Sequence, residues 1–137
     1  MKNNNRLLNI SAGVLIVFSA CSLMMVSAMA FFSPQMVMDL VQVKLPNNDA
    51  YSSIRGVYGG VGLTIVISLV YLLVKDKKAG LGFLTMLWGF YALSRIITLL
   101  NEGPLGDFGN KWLSIESVLF ACSLGLMLIY PQKLKKA

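Results

Sequence analysis

The chain has 137 residues, of which 56% are hydrophobic and only 13% charged, with a formal net charge of +6 and no histidine. A soluble domain is about one quarter charged, so this composition excludes an ordinary water-soluble globule. The missing imidazole excludes histidine acid–base catalysis and the common zinc sites.

Crossing a bilayer takes about 20 consecutive apolar residues. The first such window, Leu7 to Phe32, has no charged residue at all. Its opening, MKNNNRLLNISAGVLIVFSAC, imitates a lipoprotein signal, and Ala28 to Ala30 imitates an ordinary cleavage site. The apolar run outlasts a typical signal core of about 7 to 15 residues, and Phe18 stands where a lipobox usually has leucine, so an uncleaved helix is expected. After it, SPQMVMDLVQVKLP places Ser33 and Pro34 as helix-starting residues, with Met36, Val37, Leu40, Val41 and Val43 at helical steps. This pattern predicts a short amphipathic helix on the membrane surface, with an irregular apolar loop as the alternative. Asn47 to Asp49 reads as a turn and Tyr51 as an interfacial ring.

The second window, Ser52 to Val74, carries Arg55, and the third, Ala79 to Leu100, carries Arg95. The link between them, Lys75 to Lys78, is so short that the two helices are expected to be antiparallel neighbours. NEGPLGDFGN is rich in turn residues and reads as a loop. The fourth window, Trp112 to Tyr130, carries Glu116 and stops at Pro131. The fold expected is therefore all-α: a single four-helix transmembrane bundle over residues 1–137, with helices at about 7–32, 52–74, 79–100 and 112–130.

Lysine and arginine set the orientation, because short loops rich in them stay in the cytoplasm. Lys2, Arg6, Lys75, Lys77, Lys78, Lys133, Lys135 and Lys136 all fall on one face of a four-span chain, whereas the opposite loops hold Lys44 and Lys111. Both termini are thus expected in the cytoplasm. The positive charge is explained by topology and anionic headgroups rather than by nucleic acid.

Three charges interrupt the apolar windows. Arg55 lies four residues beyond Tyr51, Arg95 five before Leu100 and Glu116 four after Trp112, so each falls roughly 6 to 8 Å inside the same end of its helix. A charge at such depth usually faces the bundle interior and finds a partner. One reading is structural, with Glu116 pairing one arginine while the other snorkels to the headgroups. The other is functional: two arginines against one carboxylate leave a positive charge over, and guanidinium groups hold phosphates and carboxylates through paired hydrogen bonds. Arg55, Tyr58, Arg95, Glu116 and Glu102 are the ligand-binding candidates on this reading, with Ser94 a weaker neighbour. Tyr58 enters because three residues place it on Arg55's face of an α-helix. Stripes of small residues, Gly56–Gly60–Thr64, Ser117–Ala121–Gly125 and Gly89–Ala92, are expected to let the helices pack closely. Cys21 and Cys122 lie at similar depth, which makes a disulfide or redox pair conceivable if helices one and four touch, but without a CxxC spacing they read as small core residues.

The segments SSIRGVYGGVGL and GFYALSRIITLLNEGP resemble a family of short bacterial membrane proteins named only as a domain of unknown function. The resemblance spans Ser52 to about Gly125 and rests on Arg55, Tyr58, Gly59, Gly60, Arg95, Glu102 and Gly103. It implies a four-helix protein of the bacterial inner membrane and no particular activity. Three functions therefore stay open. The first is non-enzymatic binding or transport of an anionic lipid or small anion near the extracytoplasmic end. The second is an accessory subunit or homo-oligomer, and the third a membrane enzyme using Glu116 as acid or base. Membrane lipids are the expected partners; no metal or cofactor is called for.

Overall fold

A computed structural model describes residues 2–131, with side chains from Asn5 onward. Lys133, Lys135, Lys136 and the side chain of Lys2, which enter the orientation reading, lie outside the described residues. In chain order the elements are α1 (Lys2–Phe32), α2 (Pro34–Asp39), α3 (Asn48–Ile54), a π-helical segment (Arg55–Val61), α4 (Gly62–Lys75), α5 (Lys77–Asn101) and α6 (Asp107–Ile129). No strand occurs among the described residues.

The protein is all-helical, and four helical stretches are long and apolar enough to cross a membrane: Asn5–Phe32, Asn48–Lys75, Lys77–Asn101 and Asp107–Ile129. α3, the π-helical segment and α4 run on as the second of these. At 1.5 Å per residue the shortest stretch reaches about 35 Å, enough for a hydrocarbon core of roughly 30 Å. The chain divides into two compact units, one formed by Met1–Ile16 with Leu72–Ala137, the other by Val17–Tyr71.

In the first unit, α5 and α6 pack as an antiparallel pair along their length. A Cβ at Gly82 would lie 3.4 Å from the Met127 sulfur, and one at Gly89 would lie 3.0 Å from the Phe120 ring. Close approach is therefore built into α5 by its glycines, as expected where apolar burial alone does not drive helices together. Leu81, Leu84, Trp88, Ala92, Leu119 and Ser123 are buried. At the start of α5, Asp76 accepts hydrogen bonds from the backbone N–H groups of Lys78 and Ala79 and so caps the helix. In the loop before α6, Gly103 adopts φ +104°, a conformation that favours glycine.

In the second unit the tight contacts fall on Gly59 and Gly62. A Cβ on Gly59 would come within 3.1 Å of the Phe31 ring, and one on Gly62 would collide with the Ser27 hydroxyl. Gly56 and Gly60, by contrast, have nothing within 4 Å of that position. The Gly56–Gly60–Thr64 stripe is thus not the packed face. The packed face instead runs through Gly59 and Gly62 to buried Val66 and Leu69, at alternating three- and four-residue steps.

The first interhelical loop contains the short helix expected there, but α2 ends at Asp39 rather than continuing through the apolar positions beyond it. The Val43 N–H donates to the Met38 carbonyl and the Gln42 N–H to that of Asp39, with Gln42 at φ 59°. This is the Schellman arrangement, with a left-handed residue closing the helix. Gln35 then staples the loop: its Nε2 donates to Asp39 Oδ1 at 2.8 Å and to the Val43 carbonyl at 2.9 Å, and its Oε1 accepts from the Leu45 N–H at 3.0 Å. Ala30, Val37 and Met38 form a small core beneath it, joined by Met29, Leu45 and Ile54.

Two outcomes follow from this packing. Gly62→Ala should lower thermal stability in detergent by about 1 to 3 kcal/mol through overpacking, whereas Gly60→Ala should be neutral or slightly stabilising; equal melting temperatures would contradict the assignment of the packed face. The hydrogen bond from Lys44, then that from Gln35, holds the Asp39 carboxyl below the usual carboxylate range. A depressed folded-state value means that this contribution is complete above the ordinary carboxylate range and disappears as pH falls through the lowered value. Carboxyl NMR titration should show Asp39 returning toward the ordinary range in Lys44→Met.

Candidate functional site

Arg95 lies in the penultimate turns of α5, and Glu116 lies in the third turn of α6. Arg95 Nε donates to Glu116 Oε2 at 2.6 Å and Nη2 donates to Oε1 at 2.9 Å. The fork is bidentate, the geometry in which a planar guanidinium matches a carboxylate best. The Glu116 side chain is 2% exposed and that of Arg95 21%, so the pair is shielded chiefly on the carboxylate side. The Arg95 Cζ also sits 5.8 Å from the centroid of the Phe108 ring, which comes from the first turn of α6. Both charges are thereby neutralised within the α5–α6 pair, and both carboxylate oxygens are occupied.

Arg55 is used differently. It is exposed, and its Nε donates to the Phe31 carbonyl at 3.1 Å. Phe31 belongs to the last turn of α1, where carbonyls have no intrahelical partner and where the helix dipole favours a cation. Arg55 therefore caps α1 while belonging to the second span. Gly59, four residues on and close to one full turn away, meets the Phe31 ring, so Arg55 and Gly59 share the side of the π-helical segment that faces the end of α1. Among the described residues no carboxylate pairs with Arg55.

The other candidates are less engaged. Tyr58 is 37% exposed, and the wider π turn carries it further round from Arg55 than α-helical spacing would. Glu102 is exposed at the C-cap of α5, where its backbone N–H donates to the Thr98 carbonyl. The Ser94 hydroxyl donates to the Tyr91 carbonyl of its own helix. Cys21 and Cys122 are exposed free thiols, so they are not the core residues expected from their spacing.

Sequence reasoning did not find Phe31 as the partner of Arg55, because a backbone carbonyl carries no side-chain signature. It also missed Phe108, although an aromatic residue opening the helix of Glu116 was a usable hint. A further polar cluster lies at the opposite end of the α5–α6 pair. Asn9 Oδ1 accepts from Lys77 Nζ at 3.0 Å and from the Tyr130 hydroxyl at 3.0 Å. Burial, reinforced by the Asp76 charge, pushes the Tyr130 phenol above its ordinary value.

A family model described as Domain of unknown function (DUF4345) matches residues 11–127. The chain belongs to this family. The DUF4345 match takes in α1 from Ser11 onward as well as both arginines and Glu116, and so extends beyond the Ser52 to Gly125 stretch that carried the resemblance. No curated protein and no solved structure matches the chain.

Removing one member of the buried pair leaves the other charge without a partner. Arg95→Ala is expected to destabilise the protein in detergent by about 3 to 5 kcal/mol, while the double replacement Arg95→Met with Glu116→Leu should recover most of that loss. A double-mutant cycle of melting temperatures that shows no coupling would contradict the pairing.

Proposed function

We propose that this membrane protein is non-enzymatic and binds an anionic lipid headgroup, or a small anion of the same chemistry, through Arg55. The observation that carries the reading is an exposed guanidinium anchored by Nε, with Arg95 already matched to Glu116. Of the two membrane arginines it is Arg55 that keeps an uncompensated charge, and its Nη groups are suited to paired hydrogen bonds with phosphate. On this reading the protein would sit in a bacterial inner membrane with both termini cytoplasmic, the orientation that the lysine distribution supports, and this end of the second span would be extracytoplasmic. Tyr58 and Glu102 would then be peripheral to the ligand, and Arg95 with Glu116 would fix helix register. Engagement of both Glu116 oxygens by Arg95 also weighs against a role for Glu116 as acid or base.

A second reading, an accessory subunit or homo-oligomer, is favoured by small residues left on open faces. Gly56, Gly60 and Gly125 have nothing within 4 Å of a would-be Cβ. An apolar groove of about 480 Å³, with Gly89, Ala92, Ser117 and Phe120 among its lining residues, runs along the α5–α6 pair. Such faces suit the close approach of another helix. A monomer at native expression, with no copurifying protein, would remove this reading.

The lipid reading is tested by thermal unfolding in detergent with added phosphatidylglycerol, phosphatidylcholine or inorganic phosphate. A ligand at a hundredfold excess over its Kd should stabilise the wild type by about 3 kcal/mol. Arg55→Gln should abolish that gain, and Arg55→Lys should retain a small part of it. Phosphatidylglycerol acting alone would identify a lipid headgroup, and phosphate acting as well a small anion. Equal stabilisation of wild type and Arg55→Gln would overturn the proposal.

A further inference from the structure

The segment from Pro34 to Leu45 combines two properties that rarely occur together in a loop facing water. Several of its polar groups are satisfied from within. Gln35 uses both ends of its amide on Asp39, Val43 and Leu45. The carboxylate of Asp39 is paired with Lys44 at 2.9 Å. The backbone N–H groups of Met36, Val41, Gln42 and Val43 all donate to carbonyls of Ser33, Met38 or Asp39. At the same time those of its apolar side chains that do not join the small core of Val37, Met38 and Leu45 are turned outward. Met36 is 53% exposed, Leu40 45%, Val41 49% and Val43 48%, and Phe32, just before the segment, reaches 86%.

In water the exposed apolar area is unfavourable, and the internal hydrogen bonds gain only modestly over those that solvent would supply. Where water is scarce both features become favourable, because backbone groups there need partners within the chain. The exposed patch is also continuous with a membrane-spanning surface: Phe32 ends the first span, and the second span begins at Asn48. A second protein would not be needed to cover a patch that the adjoining lipid reaches.

We infer that the α2 cap, Pro34 to Leu45, is immersed in the boundary between headgroups and acyl chains, with Met36, Leu40, Val41 and Val43 in contact with phospholipid. Its occupant is the lipid of the host membrane itself, whatever the headgroup, so this contact is separate from the Arg55 reading. The Asp39–Lys44 pair lets the two charges of the segment enter that layer as a neutral unit. The Gln35 staple holds the fold of the cap without help from water.

The test uses the full chain in phospholipid nanodiscs, with both exposed native thiols replaced by Cys21→Ser and Cys122→Ser. Val41→Cys and, separately, Met36→Cys are labelled with an environment-sensitive fluorophore. The expected result is blue-shifted emission, quenched about twofold or more by phospholipid brominated in the upper acyl chain and only weakly by aqueous iodide. The result should be the same in phosphatidylcholine and phosphatidylglycerol discs. Red emission quenched by iodide would overturn the inference in favour of a water-facing loop. Blue emission insensitive to both quenchers would overturn it in favour of a covering protein, and the two label positions keep the result independent of either substitution.

Discussion

A carboxylate and a guanidinium placed in the apolar part of two helices cannot rely on water, so each must be met by something the chain supplies. In this protein Glu116 and Arg95 meet each other through two hydrogen bonds, and the consequence reaches well beyond the pair. Because the fork is bidentate, it specifies both the height and the rotation at which α5 and α6 can dock. Gly82 against Met127 and Gly89 against Phe120 fall into the same antiparallel register. One polar contact and two glycine contacts therefore agree on a single arrangement of this helix pair, which is the consistency that gives a sequence one structure rather than several.

The same requirement accounts for smaller details. Hydroxyls in the spans turn back to carbonyls of their own helix: Ser22 to Phe18, Ser27 to Leu23, Ser68 to Thr64 and Thr85 to Leu81. The carbonyl of Phe31, which lies beyond the reach of α1's own donors, is met by Arg55. The two arginines thus solve different problems. Arg95 supplies charge to a buried carboxylate, whereas Arg55 supplies a donor to a helix end and keeps its net charge. That asymmetry, not the presence of arginine in a membrane helix, separates a register device from a candidate ligand site.

Glycine placement shows where pattern reading stops. Four windows, the all-helical fold class and the family resemblance were legible because hydrophobic length and charge scarcity are summed over many residues and tolerate local error. The pairing of Glu116 with an arginine was legible as well, since a buried carboxylate needs a cation. Which arginine it chose was not, and neither was the packed face of the second span. Gly56 and Gly60 keep the spacing of a helix-packing stripe, yet the contacts fall on Gly59 and Gly62, the face that continues through buried Val66 and Leu69. Spacing alone offers either face to a neighbouring helix, and no residue type announces which one is taken.

The sequence by itself determined that this is a helical membrane protein with four apolar spans, that its few internal charges matter, and that a short helix follows the first span. These conclusions depend on composition and local periodicity, which the folded state does not alter. Only the tertiary structure decided that Arg95 rather than Arg55 neutralises Glu116, that α2 closes at Asp39 through a left-handed Gln42, and that a backbone carbonyl is what Arg55 binds. Each of those depends on the distance between atoms far apart in the chain or on a backbone angle. Such quantities are set by packing of the whole unit, and the residue types at the individual positions do not specify them.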